Sequence, residues 1–98
     1  VAGITSSANA TAIAISSAEN STFSGHIYAN ANNTYDLGAT ATRFRNIYTN
    51  DLQLSNEDGD ANEVDGTTGS WTIQEGDEDL FIINRKSGKK YKFKLEEM

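Results

Sequence analysis

The first third of this 98-residue chain has too few large apolar side chains to build a hydrophobic core of its own. Residues 1–34 consist mostly of Ala, Ser, Thr and Asn, with one acidic residue, Glu19, and no Lys or Arg. A short chain buries only a modest fraction of its surface even when apolar residues are plentiful. Ordering this segment therefore costs more conformational entropy than it can offset, unless other copies of the chain cover it. We expect residues 1–34 to form a Ser/Thr/Ala-rich β stem that is intertwined in an oligomer.

Alternation of side chains with a period of two predicts the strands of this stem. Residues 11–16 alternate small and apolar residues, which places the apolar ones on one face of a strand. Residues 17–20 have the composition of a turn, and residues 21–28 then form a second candidate strand. Gly25 within that strand suggests a close approach of another backbone.

The rest of the chain, residues 35–98, has a different composition and predicts a compact cap. It holds all eight Lys and Arg residues and 13 of the 14 acidic residues. We predict a strand at 51–55 and an acidic loop at 56–69. A three-stranded antiparallel meander follows, with strands at 70–75, 79–84 and 89–95. The continuous apolar run at 80–83 predicts burial on both faces of its strand.

A short helix near residues 42–48 is predicted from the spacing of apolar side chains. Phe44, Ile47 and Tyr48 fall at i, i+3 and i+4, which is one face of a helix. Thr40 or Thr42 is suited to cap its first turn. The predicted fold class is therefore all-β, or β-dominated with this one helix.

The segment NTYDLGATATRFRNIY at residues 33–48 resembles a motif of bacteriophage tail fibres and tailspikes. The stretch from Trp71 to Phe93 is similar, more loosely, to the C-terminus of fibre proteins from marine phages. The motif carries over to seven residues: Tyr35, Leu37, Gly38, Arg43, Phe44, Ile47 and Tyr48. We interpret them as packing residues rather than receptor contacts, with Gly38 providing a turn of positive φ. We expect no self-cleaving chaperone domain of the kind that often follows this motif, so its Ser-Lys chemistry does not carry over.

The resemblance implies a homotrimeric virion fibre at the C-terminal end of a longer chain, located outside the cell. Its implied partners are other tail components of the virion and a glycan or outer-membrane protein of the host surface. The module would act by attachment, without catalysis. Three alternatives stay open: another virion fibre or a tip that only registers three chains, a piece of a polysaccharide-degrading tailspike, and a cation-dependent adhesion module.

Charge and composition exclude several other functions. The net charge of −6 argues against nucleic-acid binding, because phosphate affinity depends on clustered Lys and Arg. No apolar run approaches the roughly 20 residues of a membrane-spanning helix, so we expect no membrane insertion. The chain has no Cys and therefore no disulfide or thiolate metal site. We expect no cofactor.

Two weak metal-binding candidates remain. Asp58, Asp60 and Asn62 have the spacing that begins a calcium loop, but position six is Glu63 where that loop needs Gly. His26 is the only histidine, and three copies meeting on a trimer axis would be needed to bind an ion. We favour an acidic solvated loop and an ordinary strand histidine.

Charged and aromatic clusters near the C-terminus have simple structural interpretations. The four acids between residues 75 and 79 lie in one predicted turn, whereas a glycosidase pair must flank a cleft. The lysines of residues 86–94 are typical of a solvated strand face that protects a sheet edge. Aromatic side chains at Tyr28, Tyr48, Trp71 and Tyr91 are expected to pack rather than stack on sugars.

Overall fold

The computed structural model describes Gly3 and residues 6–98, and within these residues the chain is all-β with no helix. Two antiparallel sheets are present in the described residues, one of two strands and one of four. The strands are β1 (Ile13–Ile15), β2 (Ser21–Phe23), β3 (Leu52–Ser55), β4 (Ser70–Glu75), β5 (Leu80–Asn84) and β6 (Lys90–Lys92). The predicted all-β class is confirmed. Residue contacts divide the chain into two units, Val1–Asn30 and Ala31–Met98, four residues before the predicted boundary.

The first unit contains a small hairpin made of β1 and β2. Ile13 pairs with Phe23 and Ile15 with Ser21. The predicted turn is confirmed, since the Ser16 amide donates to the Asn20 carbonyl at 2.9 Å and Glu19 takes a positive φ of 67°. The second strand is shorter than the predicted 21–28. The apolar side chains of both strands, Ile13, Ile15 and Phe23, are exposed, so the described hairpin has no hydrophobic core.

The second unit contains a four-stranded meander in the order β3-β4-β5-β6. The predicted three-stranded meander is confirmed as β4 to β6, and β3 adds a fourth strand across the loop 56–69. Gly76 closes the turn between β4 and β5, where its amide donates to the Asp79 carbonyl at 2.8 Å. Gly88, with a φ of 76°, closes the turn between β5 and β6. Both turns lie where glycine predicted them.

Strand register separates the side chains of this sheet onto two faces, because directly paired residues point to the same side. We call one the apolar face, and its members are Leu52, Leu54, Trp71, Ile73, Leu80, Ile82 and Tyr91, with Glu75 and Asn84 at strand ends. We call the other the polar face, and its members are Gln53, Ser55, Ser70, Thr72, Gln74, Phe81, Ile83, Lys90 and Lys92. Lys90 and Lys92 share one face of β6, as predicted for the lysines of this segment.

The residues most shielded from solvent lie on the polar face. Among the described residues only Thr72 and Ile83 are buried, at 0% and 8% exposure. The Thr72 hydroxyl donates to Gln53 Oε1 over 2.6 Å and accepts from Arg85 Nε over 2.9 Å. Long polar side chains thus cover the middle of β4 and β5. A hydroxyl buried in this way needs such partners, because an unpaired one is costly.

The predicted burial of β5 on both faces is wrong for the single chain. Only Ile83 of this strand is buried, Leu80 and Ile82 are half-buried, and Phe81 is 37% exposed. The strand is apolar on both sides, but the sheet is a single layer, so neither face is fully covered.

The predicted helix near residues 42–48 is also wrong. Residues 43–48 have no regular secondary structure, and a tight turn precedes them, in which Ala39 and Thr42 pair through two backbone hydrogen bonds of 3.1 and 3.2 Å. A helix of two turns is too short to be stable alone, and β-branched Thr residues do not favour one. The apolar spacing that predicted the helix has no surface in the unit to pack against.

Candidate functional site

The motif of residues 35–48 is organised around Gly38. This residue has a φ of 87°, a left-handed conformation that favours glycine. A Cβ placed on it would lie 3.3 Å from the Thr42 carbonyl oxygen and 3.5 Å from Phe44 Cδ2. Arg43 Nη1 then donates to the Thr40 carbonyl at 2.6 Å. The predicted role of Gly38 as a turn of positive φ is confirmed.

The large side chains of the motif are exposed. Exposure rises from 61% at Phe44 to 92% at Tyr48, and Tyr35, Leu37 and Ile47 lie between these values. Leu37, Phe44 and Ile47 line one shallow hollow. They do not fix a helix to the strands, as the sequence predicted, because there is no helix and no covering surface within the unit. The motif brings these residues together but leaves them uncovered.

The acidic loop 56–69 is held by its own polar side chains, and Asn62 is one of the two residues that organise it. Asn62 Oδ1 accepts from the amides of Val64 and Asp65 at 2.8 and 3.0 Å. Its Nδ2 donates to Asp65 Oδ1 at 2.7 Å and to the Thr67 carbonyl at 2.9 Å. Such side-chain bonds to nearby backbone replace a regular secondary structure.

Asn56 is the other organising residue of the loop. Its Oδ1 accepts from the Gly69 amide at 2.7 Å, which joins the two ends of the loop. Its Nδ2 donates to the Asp60 carbonyl at 3.2 Å. Next to it lies a polar hollow lined by Asn32, Asn33, Ser55, Asn56, Asp58, Gly59 and Asp60. Only its position at the start of a predicted loop singled out Asn56 in the sequence.

Asp65 is the one residue whose titration the loop clearly alters. Hydrogen bonds from the side chains of Asn62 and Thr67, and from the Thr67 amide, lower the pKa of its carboxyl below the ordinary value. Each of these bonds favours the ionised form. The carboxylate of Asp65 therefore acts as a structural acceptor within the loop.

The metal-binding candidates are not assembled into a site. Within Gly3 and residues 6–98, no group of three or more His, Cys, Asp and Glu side chains could hold a metal ion. The Oδ1 of Asn62, which would be a ligand, already accepts two backbone amides, while Asp58 and Asp60 line the polar hollow. His26 lies in the first unit, where its ring is 5.9 Å from that of Tyr28.

Other candidate groups are placed as follows. The acids of residues 75–79 flank the tight turn at Gly76, and Lys90 and Lys92 lie on the polar face. Trp71 and Tyr91 are on the apolar face with ring centroids 6.0 Å apart. The part of the chain that the structure describes includes no helix able to cross a membrane.

Comparisons of this chain with protein-family models, with curated proteins and with solved structures found no match. The candidate sites are therefore interpreted from their own geometry.

Proposed function

We propose that this chain is a non-enzymatic structural and attachment module of a phage tail fibre, which works as a homotrimer. Residues 1–34 form the intertwined stem, and residues 35–98 form the C-terminal cap. Its location is the outside of the virion. The proposal of a fibre depends on the resemblance of the 35–48 motif to tail-fibre proteins. The proposal of an oligomer depends on the surface area that the single chain exposes.

The observation that carries the oligomer is the surface area of the single chain. It exposes 9668 Å², whereas a folded monomer of its 10.6 kDa mass exposes roughly 5,500 Å². The difference of roughly 4,200 Å² falls in the range that obligate interfaces bury. Only two described residues are buried, so a single copy has almost no core. Closed three-fold symmetry supplies that core from identical surfaces.

Attachment by such a module depends on multiplicity. Each trimer presents three identical surfaces, and linked weak contacts bind far more tightly than one contact alone. Partners in this proposal are the other tail components and a glycan or outer-membrane protein of the host. The polar hollow beside Asn56 offers amide and carboxylate groups that match sugar hydroxyls, which supports contact with a glycan.

The proposal is tested by measuring mass in solution and binding to cells. Sedimentation equilibrium of the 98-residue chain is expected to give three times its 10.6 kDa mass at micromolar concentration. The labelled trimer is then expected to bind a subset of a panel of bacterial strains. A trimer that binds no strain would favour a tip that only registers three chains, and a monomer would contradict the proposal.

A further inference from the structure

We infer that the apolar face of the four-stranded sheet is the surface on which copies of this chain pack against one another. The inference rests on the proposed oligomer and specifies where its core lies. The face is defined by six central residues, Leu52, Leu54, Trp71, Ile73, Ile82 and Tyr91.

The size of this face requires a cover. Four strands about 4.8 Å apart, each about five residues of about 3.3 Å, span roughly 300 Å² of flat sheet. This is about the size of the largest apolar patch on an ordinary monomer, and such patches are often functional. Leu52, Leu54 and Tyr91 are 45%, 46% and 47% exposed, although they occupy positions where a sheet normally packs against a second layer. No second layer is described within the unit Ala31–Met98.

The charge of the face favours a second copy over a different protein. Residues close to a rotation axis meet their own equivalents in the other copies, so charged residues there would repel one another. Within the strands β3 to β6, all of which the structure describes, Glu75 is the one charged residue on the apolar face, and it lies at a strand end. The polar face carries Lys90 and Lys92. The chain has a net charge of −6, so self-association needs a surface free of charge.

Apolar side chains of the first unit are also exposed, which further supports packing between identical copies of the chain. Ile13 and Phe23 pair across β1 and β2, yet they are 55% and 46% exposed. The area that the chain exposes in excess, roughly 4,200 Å² over a monomer of its mass, is more than one sheet face provides. Additional copies of the chain cover both units at once, whereas a foreign partner on the sheet would leave the hairpin exposed.

The first test places a charge on each face of the same strand. Leu54→Glu adds a carboxylate to the apolar face at a half-exposed position, where the single chain can accommodate it. Gln53→Glu is the matched control, because it adds the same charge on the polar face and keeps the Oε1 that accepts from Thr72. We expect Leu54→Glu to weaken assembly about a hundredfold or more, as juxtaposed like charges do, and Gln53→Glu to leave it unchanged. Equal masses for the two variants would overturn the inference.

The second test introduces no charge, so its result does not depend on whether the fold tolerates a carboxylate at position 54. The chain has no Cys, so Leu54→Cys and Ser55→Cys each introduce a single thiol on opposite faces of β3. At micromolar concentration we expect iodoacetamide to label Leu54→Cys at least tenfold more slowly than Ser55→Cys, and dilution to remove the difference. Equal rates overturn the inference, and protection that survives dilution to monomer shows cover by the same chain, which also overturns it.

The results separate this inference from the proposed homotrimer. A trimer that Leu54→Glu does not disturb keeps the homotrimer and overturns the assigned face. A dimer that Leu54→Glu dissociates and Gln53→Glu does not keeps the face and contradicts three-fold symmetry. A wild-type monomer at micromolar concentration overturns both.

Discussion

Two segments of equal length without strands, 35–48 and 56–69, connect parts of the second unit in different ways. The loop 56–69 is fixed by side-chain amides and a carboxylate, with Asn56 and Asn62 bonding to backbone groups on both sides. The motif 35–48 is fixed by its backbone, through Gly38 and the pairing of Ala39 with Thr42. Apart from the bond from Arg43 to the Thr40 carbonyl, its large side chains make no hydrogen bond in that arrangement, and its large apolar side chains remain exposed.

The difference shows which segment the single chain can complete. Asn56, Asn62 and Asp65 find their partners within the loop itself, and Ser55 and Lys86 of the same unit supply two further hydrogen bonds. These polar groups therefore need no partner from outside the unit. Apolar groups of the motif gain free energy only when water is removed from them, and no surface of the unit does so. A segment that is both well defined in backbone and exposed in side chain is suited to receive another molecule.

The largest expected effect comes from removing an organising amide of the loop. Asn62→Ala loses five side-chain hydrogen bonds to Val64, Asp65 and Thr67, and we expect a destabilisation of about 1–3 kcal/mol, moderated by exposure to water. Urea denaturation of the 98-residue chain measures it. The control is Asn46→Ala in the motif, for whose side chain the structure describes no hydrogen bond, and which should be neutral within about 0.5 kcal/mol. Equal effects would remove the contrast between the segments.

The next effect tests whether the backbone fixes the motif. Gly38→Ala must adopt a φ of 87° with a Cβ 3.3 Å from the Thr42 carbonyl oxygen, and we expect a loss of about 1–2 kcal/mol. Gly66→Ala in the loop is the comparison, because Gly66 has a φ of 72° but no atom within 4 Å of the added Cβ. We expect the smaller loss there. A stability gain for Gly38→Ala would mean that the tight turn is not formed.

The next prediction concerns exposed apolar side chains, whose removal should change the stability of the single chain only slightly. It distinguishes side chains that other copies cover in the proposed oligomer from those that stay exposed. Phe44→Ser and Val64→Ser both replace exposed apolar side chains, one in the motif and one in the loop. In dilute protein each should change the free energy of unfolding by less than about 0.5 kcal/mol. In concentrated protein only Phe44→Ser should lower stability further, as measured by denaturation at two concentrations. Identical behaviour of the two variants would argue against cover of the motif.

The smallest expected effect is the acid sensitivity of the loop. The pKa of the Asp65 carboxyl is lowered by hydrogen bonds from Asn62 and Thr67, so its contribution to stability is complete above the ordinary value of about 3.9. That contribution is lost as pH falls through the lowered pKa, because protonation then removes an acceptor. The Thr67 amide shift followed by NMR should report this change, and Asp65→Asn should abolish it.

The strands that could be predicted from the sequence are those whose alternation is strict. The predicted strands 70–75 and 79–84 agree with Ser70–Glu75 and Leu80–Asn84 to within one residue, and only Lys90–Lys92 of the predicted strand 89–95 is present. The spacing of apolar residues at 42–48 wrongly predicted a helix. The i, i+3, i+4 pattern favours a helix only where a surface exists for the apolar face to pack against. In the single chain Phe44 and Ile47 have none.

The parts that the sequence did not reveal depend on pairs distant in the chain. Leu52 meets Ile73 across the loop 56–69, and this pairing extends the sheet and puts Gln53 beside Thr72. Thr72 also accepts a hydrogen bond from Arg85, which directly follows the end of β5. No local pattern marks a threonine as the best shielded side chain of the unit, because its cover comes from long polar side chains rather than from an apolar core.

The order β3-β4-β5-β6 repeats the order in which a ribosome would make the strands. Every pairing joins sequence neighbours, so the sheet has low contact order and can close as the chain emerges. Its formation should be fast and independent of protein concentration. In the proposed homotrimer, assembly of copies would then be the slow, concentration-dependent step, during which exposed apolar surface is open to aggregation. Synthesis of several chains close together would shorten that step.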